Sequence, residues 1–288
     1  MMRKLSDSFM DLLQHGYLSE LTERIRNDSD LDLEIRDKYL NIYYKGNSLL
    51  RLSEDKHKKY KVSIHKKFLE GLDIPSYLND QEASQIFIKN IPMLKQNIID
   101  YGKHSIEIEY EQMIIRANNY EPKNNTEYFI IDRQYKVEEG RFDLVGIFWD
   151  SHHRMKKQEV PLCLMEVKFS LNQDISKVHE QLERYYEAIK PRALSIAEEY
   201  EKIFQQKLEL GLYKQPLDRV EALKTLTISK SISSFQFILV LVDYNQKSKK
   251  LQLEKLNSLS FANQIRIFKG GFGLWKGNVK PLSYYHIK

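Results

Sequence analysis

"RFDLVGIFWDSHHRMKKQEVPLCLMEVKFS", residues 141–170, contains two very apolar segments that carry three charged side chains, Asp143, Glu166 and Lys168. A charged loop separates the two segments, and this pattern predicts a hairpin of two buried strands. Burying a lone carboxylate or ammonium is costly, so charges on core strands are normally paired, bound to a metal or used in chemistry. The stretch therefore predicts a buried charged site on a sheet.

Alternation along the second strand separates the charges from most of the apolar side chains. Glu166 and Lys168 fall on one face with Leu162 and Leu164, and the residues between them point the other way. If the two strands pair, Asp143 comes alongside. Two converging carboxylates suit a hard divalent cation, and a nearby lysine could stabilise a metal-activated hydroxide. For this motif alone, a buried salt-bridge cluster without chemistry stays open as the alternative.

Composition indicates a globular protein with one large domain or two modest ones. The chain has 288 residues, of which 42% are hydrophobic and 30% charged, with a net charge of +5. The mild basic excess suits a nucleic-acid partner but is weak support for one. Cys163 is the only cysteine, which excludes an intrachain disulfide and a zinc site built from several cysteines.

The sequence gives no indication of a secreted or membrane protein. The first residues lack the apolar core and cleavage site of a signal peptide, and the most apolar run, "FQFILVLV" at residues 235–242, is too short to span a bilayer. A cytoplasmic protein that does not use a membrane as a partner is therefore expected.

Residues 1–100 are predicted to form a β-rich accessory region. A helix interrupted near Gly16 precedes three or four antiparallel strands, and a later helix is expected to break at Pro92. This region could bind a second copy or another protein. It also carries a basic stretch that either helps to select a nucleic acid or is a solvated strand edge: Lys56, Lys58, Lys59, Lys61, Lys66 and Lys67.

Residues 101–288 form a second predicted domain, with the order helix, three strands, helix, strand. This order predicts an α/β (α+β) fold with a mixed central sheet flanked by helices. The first helix carries three glutamates. Glu107 and Glu109 are expected to flank its core-facing side, which contains Ile106 and Met113, whereas Glu111 is expected to point toward solvent. A solvated helix charge is the plainer explanation for any one of them.

On the helix that follows the three strands, Gln181 and Tyr185 share one face because they are four residues apart in "QLERY". Taken alone, this is also the pattern of an ordinary amphipathic helix. In combination, the glutamate-bearing helix, "FDLV", "MEVK" and "QLERY" resemble the PD-(D/E)XK nuclease superfamily over roughly residues 101–245. The last element is characteristic of the RecB-type exonuclease branch. Phe142 stands where the superfamily name has proline, a common departure.

The resemblance implies a restriction-endonuclease-like fold and hydrolysis of DNA phosphodiester bonds with Mg²⁺ or Mn²⁺. Asp143, Glu166 and the Val167 carbonyl would hold the metal, with help from Glu109 directly or through water, and Glu107 as the other candidate. Lys168 would position the nucleophilic water, whereas Gln181 and Tyr185 would support the site or contact DNA.

Two other functions stay open at this point. One is a catalytically inactive nuclease fold that binds nucleic acid, and the other is a protein-interaction module in which the charges are structural. The resemblance does not extend to residues 1–100, so the substrate and the pathway (restriction, phage defence or repair) do not follow from it.

Overall fold

The computed structural model describes residues 3–121, 126–137, 140–156, 159–169, 173–245 and 248–271. These residues form two β-sheets and the helices that cover them. The mixed α/β composition predicted from the sequence is confirmed. No helix in the described ranges is both long and apolar enough to cross a membrane.

The N-terminal part consists of two short helices and an antiparallel meander. The side chain of Ser6 caps the first helix by accepting a hydrogen bond from the Phe9 N–H at 3.1 Å. The interruption predicted near Gly16 is present, because the first helix ends before it and the second begins after it. These elements are α1 (Asp7–Gln14), α2 (Ser19–Arg26), β1 (Leu31–Ile35), β2 (Tyr39–Tyr44), β3 (Asn47–Glu54) and β4 (Tyr60–Ser63).

The next helix, α3 (Gln81–Tyr101), runs straight through Pro92, so the break predicted there is wrong. A proline inside a helix costs about 3 kcal/mol, because it removes one hydrogen bond and crowds the preceding turn. Packing of both halves into one core offsets this cost. The buried side chains that anchor the helix before and after the proline include Phe87, Ile91, Leu94 and Ile98.

The second sheet has five strands in the order β5-β6-β7-β8-β9. The first three pair antiparallel, and β8 and β9 join in parallel. β8 is buried along its whole length, as its unbroken apolar run predicted. The elements of this half are α4 (Ile106–Ile115), β5 (Tyr128–Val137), β6 (Gly140–Phe148), α5 (Ser151–Lys156), β7 (Leu162–Phe169), α6 (Val178–Ile189), α7 (Ala193–Glu209), α8 (Leu217–Leu223), β8 (Gln236–Val242), α9 (Leu253–Asn257) and β9 (Ile265–Gly270).

The two faces of β7 are those that the alternation predicted. Leu162 and Leu164 belong to the main core, whereas Cys163, Met165 and Val167 belong to a smaller apolar cluster on the other face. The loop between β6 and β7 contains the short helix α5 instead of a simple hairpin turn. The final predicted segment, "QIRIFKGGFGLW", is a strand as far as Gly270, and its last four residues lie outside the described ranges.

The two sheets lie against each other through apolar side chains and buried charges. One apolar core runs through both halves of the chain. Glu34 on β1 accepts a hydrogen bond from Lys207 on α7 at 3.0 Å, and Arg36 is paired with Asp132 on β5. Arg133 lies 3.7 Å from Asp32. The four-stranded sheet β1-β2-β3-β4, called the accessory sheet below, therefore packs directly on the five-stranded sheet that carries Asp143, Glu166 and Lys168.

Candidate metal centre

Asp143 lies where strands β6 and β7 separate. The pairing ends at Leu144 and Met165, and Asp143 directly precedes Leu144 on β6. Beyond that point the Asp143 side chain replaces the partner strand, because its Oδ2 accepts a hydrogen bond from the Val167 N–H at 2.8 Å. The carboxylate is thereby fixed beside the stretch of β7 that carries Glu166 and Lys168.

Glu166 is almost fully buried and uses only one of its two oxygens. Its Oε1 accepts hydrogen bonds from Lys168 Nζ and from Gln181 Nε2, both at 2.6 Å. Its Oε2 is buried and accepts no hydrogen bond from any residue that the structure describes. A buried carboxylate oxygen without a donor is costly, and a bound cation would remove that cost.

Gln181 and Tyr185 join the strands to helix α6. Gln181 Nε2 also donates a hydrogen bond to the Tyr185 hydroxyl at 2.8 Å. That hydroxyl accepts a further hydrogen bond from the Arg141 N–H at 3.2 Å, at the start of β6. The Tyr185 ring packs edge-on against Phe142, with the ring centroids 4.6 Å apart. The "QLERY" pattern therefore contacts both charged strands, and Gln181 orients Glu166.

The two carboxylates raise each other's cost of ionisation. Burial, followed by the negative charge of Asp143, raises the pKa of Glu166 to about 7. The pKa of Asp143 is also raised, mainly by burial, although the Val167 N–H and the charge of Lys168 oppose that rise. Without a cation, the pair resists carrying two full negative charges near neutral pH.

Lys168 is paired with Glu166 at 2.6 Å, and its positive charge also acts on Asp143. Burial alone lowers the pKa of Lys168, but the ion pair with Glu166 and the charge of Asp143 outweigh burial, and the pKa is raised. Lys168 is therefore protonated at neutral pH. When both carboxylates ionise, this one ammonium leaves a net negative charge at the centre, which a bound divalent cation would compensate.

Of the two helix glutamates considered from the sequence, the structure brings Glu107 to the centre. Glu107 is partly buried in the first turn of α4, and its charge acts on the pKa of both Asp143 and Lys168. Glu109, which the resemblance placed in the metal site, has an exposed side chain. Glu107 is therefore the better placed of the two.

Glu111 is buried, so the expectation that it points toward solvent is wrong. It is 2% exposed, and it accepts hydrogen bonds from Arg133 Nη2 at 2.8 Å and from Gln134 Nε2 at 2.9 Å. Burial raises the pKa of Glu111 to about 7, and Asp143 adds to the increase. Glu111 follows Glu107 by four residues, and this spacing could have placed both glutamates on the same side of α4.

The core-facing side of α4 is not the one expected from the sequence, because this helix has apolar residues on two sides. Ile106 and Met113, expected to face the core, are 48% and 43% exposed. Met113 and its neighbours instead line an open apolar groove of about 670 Å³ between α4 and β9. The buried side of the helix includes Glu111 and Ile115, and the charge there is compensated by Arg133.

The residues present suit a magnesium-type ion bound mostly by water. No group of three or more carboxylate, imidazole or thiol side chains arranged around a common point occurs in the described ranges. The candidate ligands are therefore the pair Asp143 and Glu166. Mg²⁺ usually keeps several waters and binds through one or two carboxylates, so such a pair is sufficient. The Glu166 oxygen without a donor supplies a ready ligand atom.

Comparison of the chain with protein-family models, with curated proteins and with solved structures finds no match in any of the three.

Proposed function

We propose that the protein is a metal-dependent nuclease that hydrolyses DNA phosphodiester bonds with Mg²⁺ or Mn²⁺. We further infer that the five-stranded sheet with α4 and α6 is a restriction-endonuclease-like core of the PD-(D/E)XK type. The order α4, β5, β6, β7, α6, β8 supports this fold assignment. The accessory sheet would then be an addition to that core.

One observation carries the proposal: two buried carboxylates and one buried ammonium converge, and one carboxylate oxygen accepts no hydrogen bond from the part of the chain that the structure describes. Glu166 Oε2 is the oxygen in question, and Asp143 repels the same carboxylate. The ion pairs between the two sheets also leave buried oxygens of Asp32 and Glu34 without a donor among the described residues, at a cost of about 1–3 kcal/mol each. What distinguishes this centre is that a second buried carboxylate, Asp143, acts on Glu166 while one buried ammonium, Lys168, faces both. In a cation site formed by Asp143 and Glu166, Glu166 Oε2 would be a ligand of the ion.

Bound Mg²⁺ would neutralise phosphate charge and lower the pKa of a coordinated water. Asp143 and Glu166 would hold the ion, with the Val167 carbonyl and Glu107 or Glu109 as further candidates. The Lys168 ammonium, fixed 2.6 Å from Glu166 Oε1, would stabilise the negative charge of the attacking hydroxide. Gln181 would keep Glu166 in place, and Tyr185 would keep Gln181 in place.

The test is incubation of the purified protein with linear, circular and single-stranded DNA in Mg²⁺, in Mn²⁺ and in EDTA, read on a gel. We expect cleavage in at least one metal, none in EDTA and none by Asp143→Asn. Asp37→Asn is the matched control, because Asp37 is exposed in the turn between β1 and β2. Cleavage of circular DNA would identify an endonuclease.

The inactive nuclease fold gives a different result in the same assay. If the wild-type protein leaves all three DNA forms intact in both metals, the nuclease proposal is wrong. A protein that still shifts DNA in a binding assay under those conditions would then be a nucleic-acid-binding module, and one that does not would favour a protein-interaction module.

A further inference from the structure

The turn between β2 and β3 lies against the first turn of helix α4. Gly46, with φ of +74°, approaches Ile108 so closely that a Cβ on Gly46 would lie 2.0 Å from Ile108 Cγ2. Ile108 directly follows Glu107, whose charge acts on Asp143 and Lys168. One end of the accessory sheet is therefore held beside the candidate metal centre.

Asn47 attaches this turn to the segment between α3 and α4. Its Nδ2 donates hydrogen bonds to the carbonyls of Lys45 and Lys103, at 3.1 Å and 2.9 Å, and its Oδ1 accepts one from the Lys103 N–H at 3.1 Å. These bonds use only backbone atoms of the two lysines. Both lysine side chains are left exposed at the same edge of the molecule.

Lys45 occupies a backbone conformation that does not favour lysine. Its φ is +46°, and together with Gly46 it forms a two-residue hairpin turn with two positive φ values. Such turns favour asparagine at the first position, because its short side chain tolerates this conformation. In the described ranges no carboxylate lies within 4 Å of the amines of Lys45 or Lys103. Two exposed ammonium groups without a carboxylate partner in those ranges are therefore carried by the turn and the segment that adjoin the first turn of α4, where Glu107 lies.

The opposite end of the accessory sheet provides a contrast within the same chain. Lys38, also at positive φ, lies in the turn between β1 and β2, and its carbonyl accepts a hydrogen bond from the Glu54 N–H at the end of β3. Its own N–H donates to the carbonyl of Lys4. The strand pairing places this end, which also includes the turn between β3 and β4, away from Gly46.

We propose that Lys45 and Lys103 form a phosphate-binding lip that holds the nucleic-acid backbone at the metal centre. The proposal rests on the nuclease function above and adds a specific contact from the accessory sheet. The lip supplies the positive charge that an acidic centre needs in order to approach a polyanion. It also assigns substrate contact to the end of the sheet opposite the turn that carries Lys56, Lys58 and Lys59.

The test compares two double variants that each remove two exposed lysine charges. In the lip variant, Lys45→Asn with Lys103→Gln, asparagine suits the positive φ and the backbone bonds of Asn47 are retained. The matched control is Lys4→Gln with Lys38→Asn, at the opposite end of the same sheet. Binding of a labelled DNA duplex is measured by fluorescence anisotropy in EDTA at several salt concentrations, and cleavage is measured separately in Mg²⁺ or Mn²⁺.

We expect the lip variant to bind DNA roughly tenfold more weakly, with a salt-dependence slope lower by about two, because two phosphate contacts are lost. The control variant should stay within about twofold of wild type. Equal effects of the two variants, or no effect of the lip variant, would show that Lys45 and Lys103 do not bind the DNA backbone, even if the wild type cuts DNA. If the lip variant binds DNA more weakly but the wild type cuts no DNA, the phosphate-binding role is supported and the nuclease proposal is wrong. A wild type that binds no DNA would refute both.

Discussion

Replacing Glu166 by glutamine tests whether ionisation of this buried carboxylate lowers the stability of the metal-free protein. Glutamine has nearly the same shape, keeps an oxygen that can accept from Lys168 and Gln181, and carries no charge. If the buried carboxylate is kept for metal binding, ionisation of Glu166 lowers the unfolding free energy of the metal-free protein. The variant should therefore be less sensitive to pH than wild type, and it should be unable to bind the metal normally.

The magnitude follows from the pKa of Glu166, which rises from 4.5 in the unfolded chain to about 7 in the folded protein. Because the folded pKa is the higher one, this group's contribution to stability is complete below pH 4.5 and is lost as pH rises through 7. One pKa unit corresponds to about 1.4 kcal/mol, so wild type should lose about 3 kcal/mol between pH 5 and pH 8 from this group. Glu166→Gln lacks that loss.

The assay is urea unfolding in EDTA at pH 5, 6, 7 and 8, followed by tryptophan fluorescence. Trp149 is buried and reports on the packing of the sheet. The difference in unfolding free energy between Glu166→Gln and wild type should grow in favour of the variant by about 3 kcal/mol across this range. Glu111 titrates in both proteins and cancels in the comparison. Glu183→Gln, exposed on the same helix as Gln181, serves as the control and should run parallel to wild type.

Parallel pH profiles for wild type and Glu166→Gln would mean that Glu166 ionises in the folded protein as it does in the unfolded chain. Ionisation of the buried carboxylate would then cost no extra free energy in the folded protein, and a bound cation would have no such cost to compensate.

Three further substitutions test other parts of the centre. Asp143→Asn should weaken binding of Mn²⁺ by at least about tenfold in titration calorimetry, because an amide is a poorer ligand than a carboxylate; unchanged affinity would remove Asp143 from the site. Arg133→Met should lower the unfolding free energy by about 3–5 kcal/mol in urea, since it leaves Glu111 buried without its cation, and a loss below about 1 kcal/mol would contradict the buried pair. Gly140→Ala should lower thermal stability and cleavage together, because the new methyl group would lie 2.5 Å from the Tyr185 hydroxyl; a variant that melts and cuts like wild type would show that this contact is dispensable.

The parts of the site that lie on regular elements could be predicted from the sequence, because strand alternation and helical spacing are local. Alternation placed Glu166 and Lys168 on one face of β7, and the spacing of four residues placed Gln181 and Tyr185 together on α6. The position of Asp143 followed from the expected pairing of β6 with β7. These inferences needed no knowledge of distant residues.

Features that depend on partners distant in sequence could not be predicted in the same way. Glu111 is buried because Arg133, on another element, compensates its charge, and α4 alone offers two apolar sides. Pro92 is tolerated inside α3 because the core holds both halves of the helix. The ionic contacts between the two sheets, such as Glu34 with Lys207, join residues more than a hundred positions apart.

If the buried charges on β6 and β7 are kept for chemistry, loss of the Lys168 ammonium should slow cleavage without unfolding the protein. The single-turnover cleavage rate of folded Lys168→Met at saturating Mn²⁺ measures this effect. Lys168 is not a proposed metal ligand, and Glu166 keeps its hydrogen bond from Gln181, so the variant should fold and bind the ion. We expect it to cut DNA at least about a hundredfold more slowly than wild type, because the attacking hydroxide loses its stabilising charge. A folded Lys168→Met protein that cuts at the wild-type rate would show that the Lys168 charge is not used in cleavage. A variant destabilised by about 3–5 kcal/mol, beside a wild type that cuts no DNA, would show that the charges form a structural ion pair.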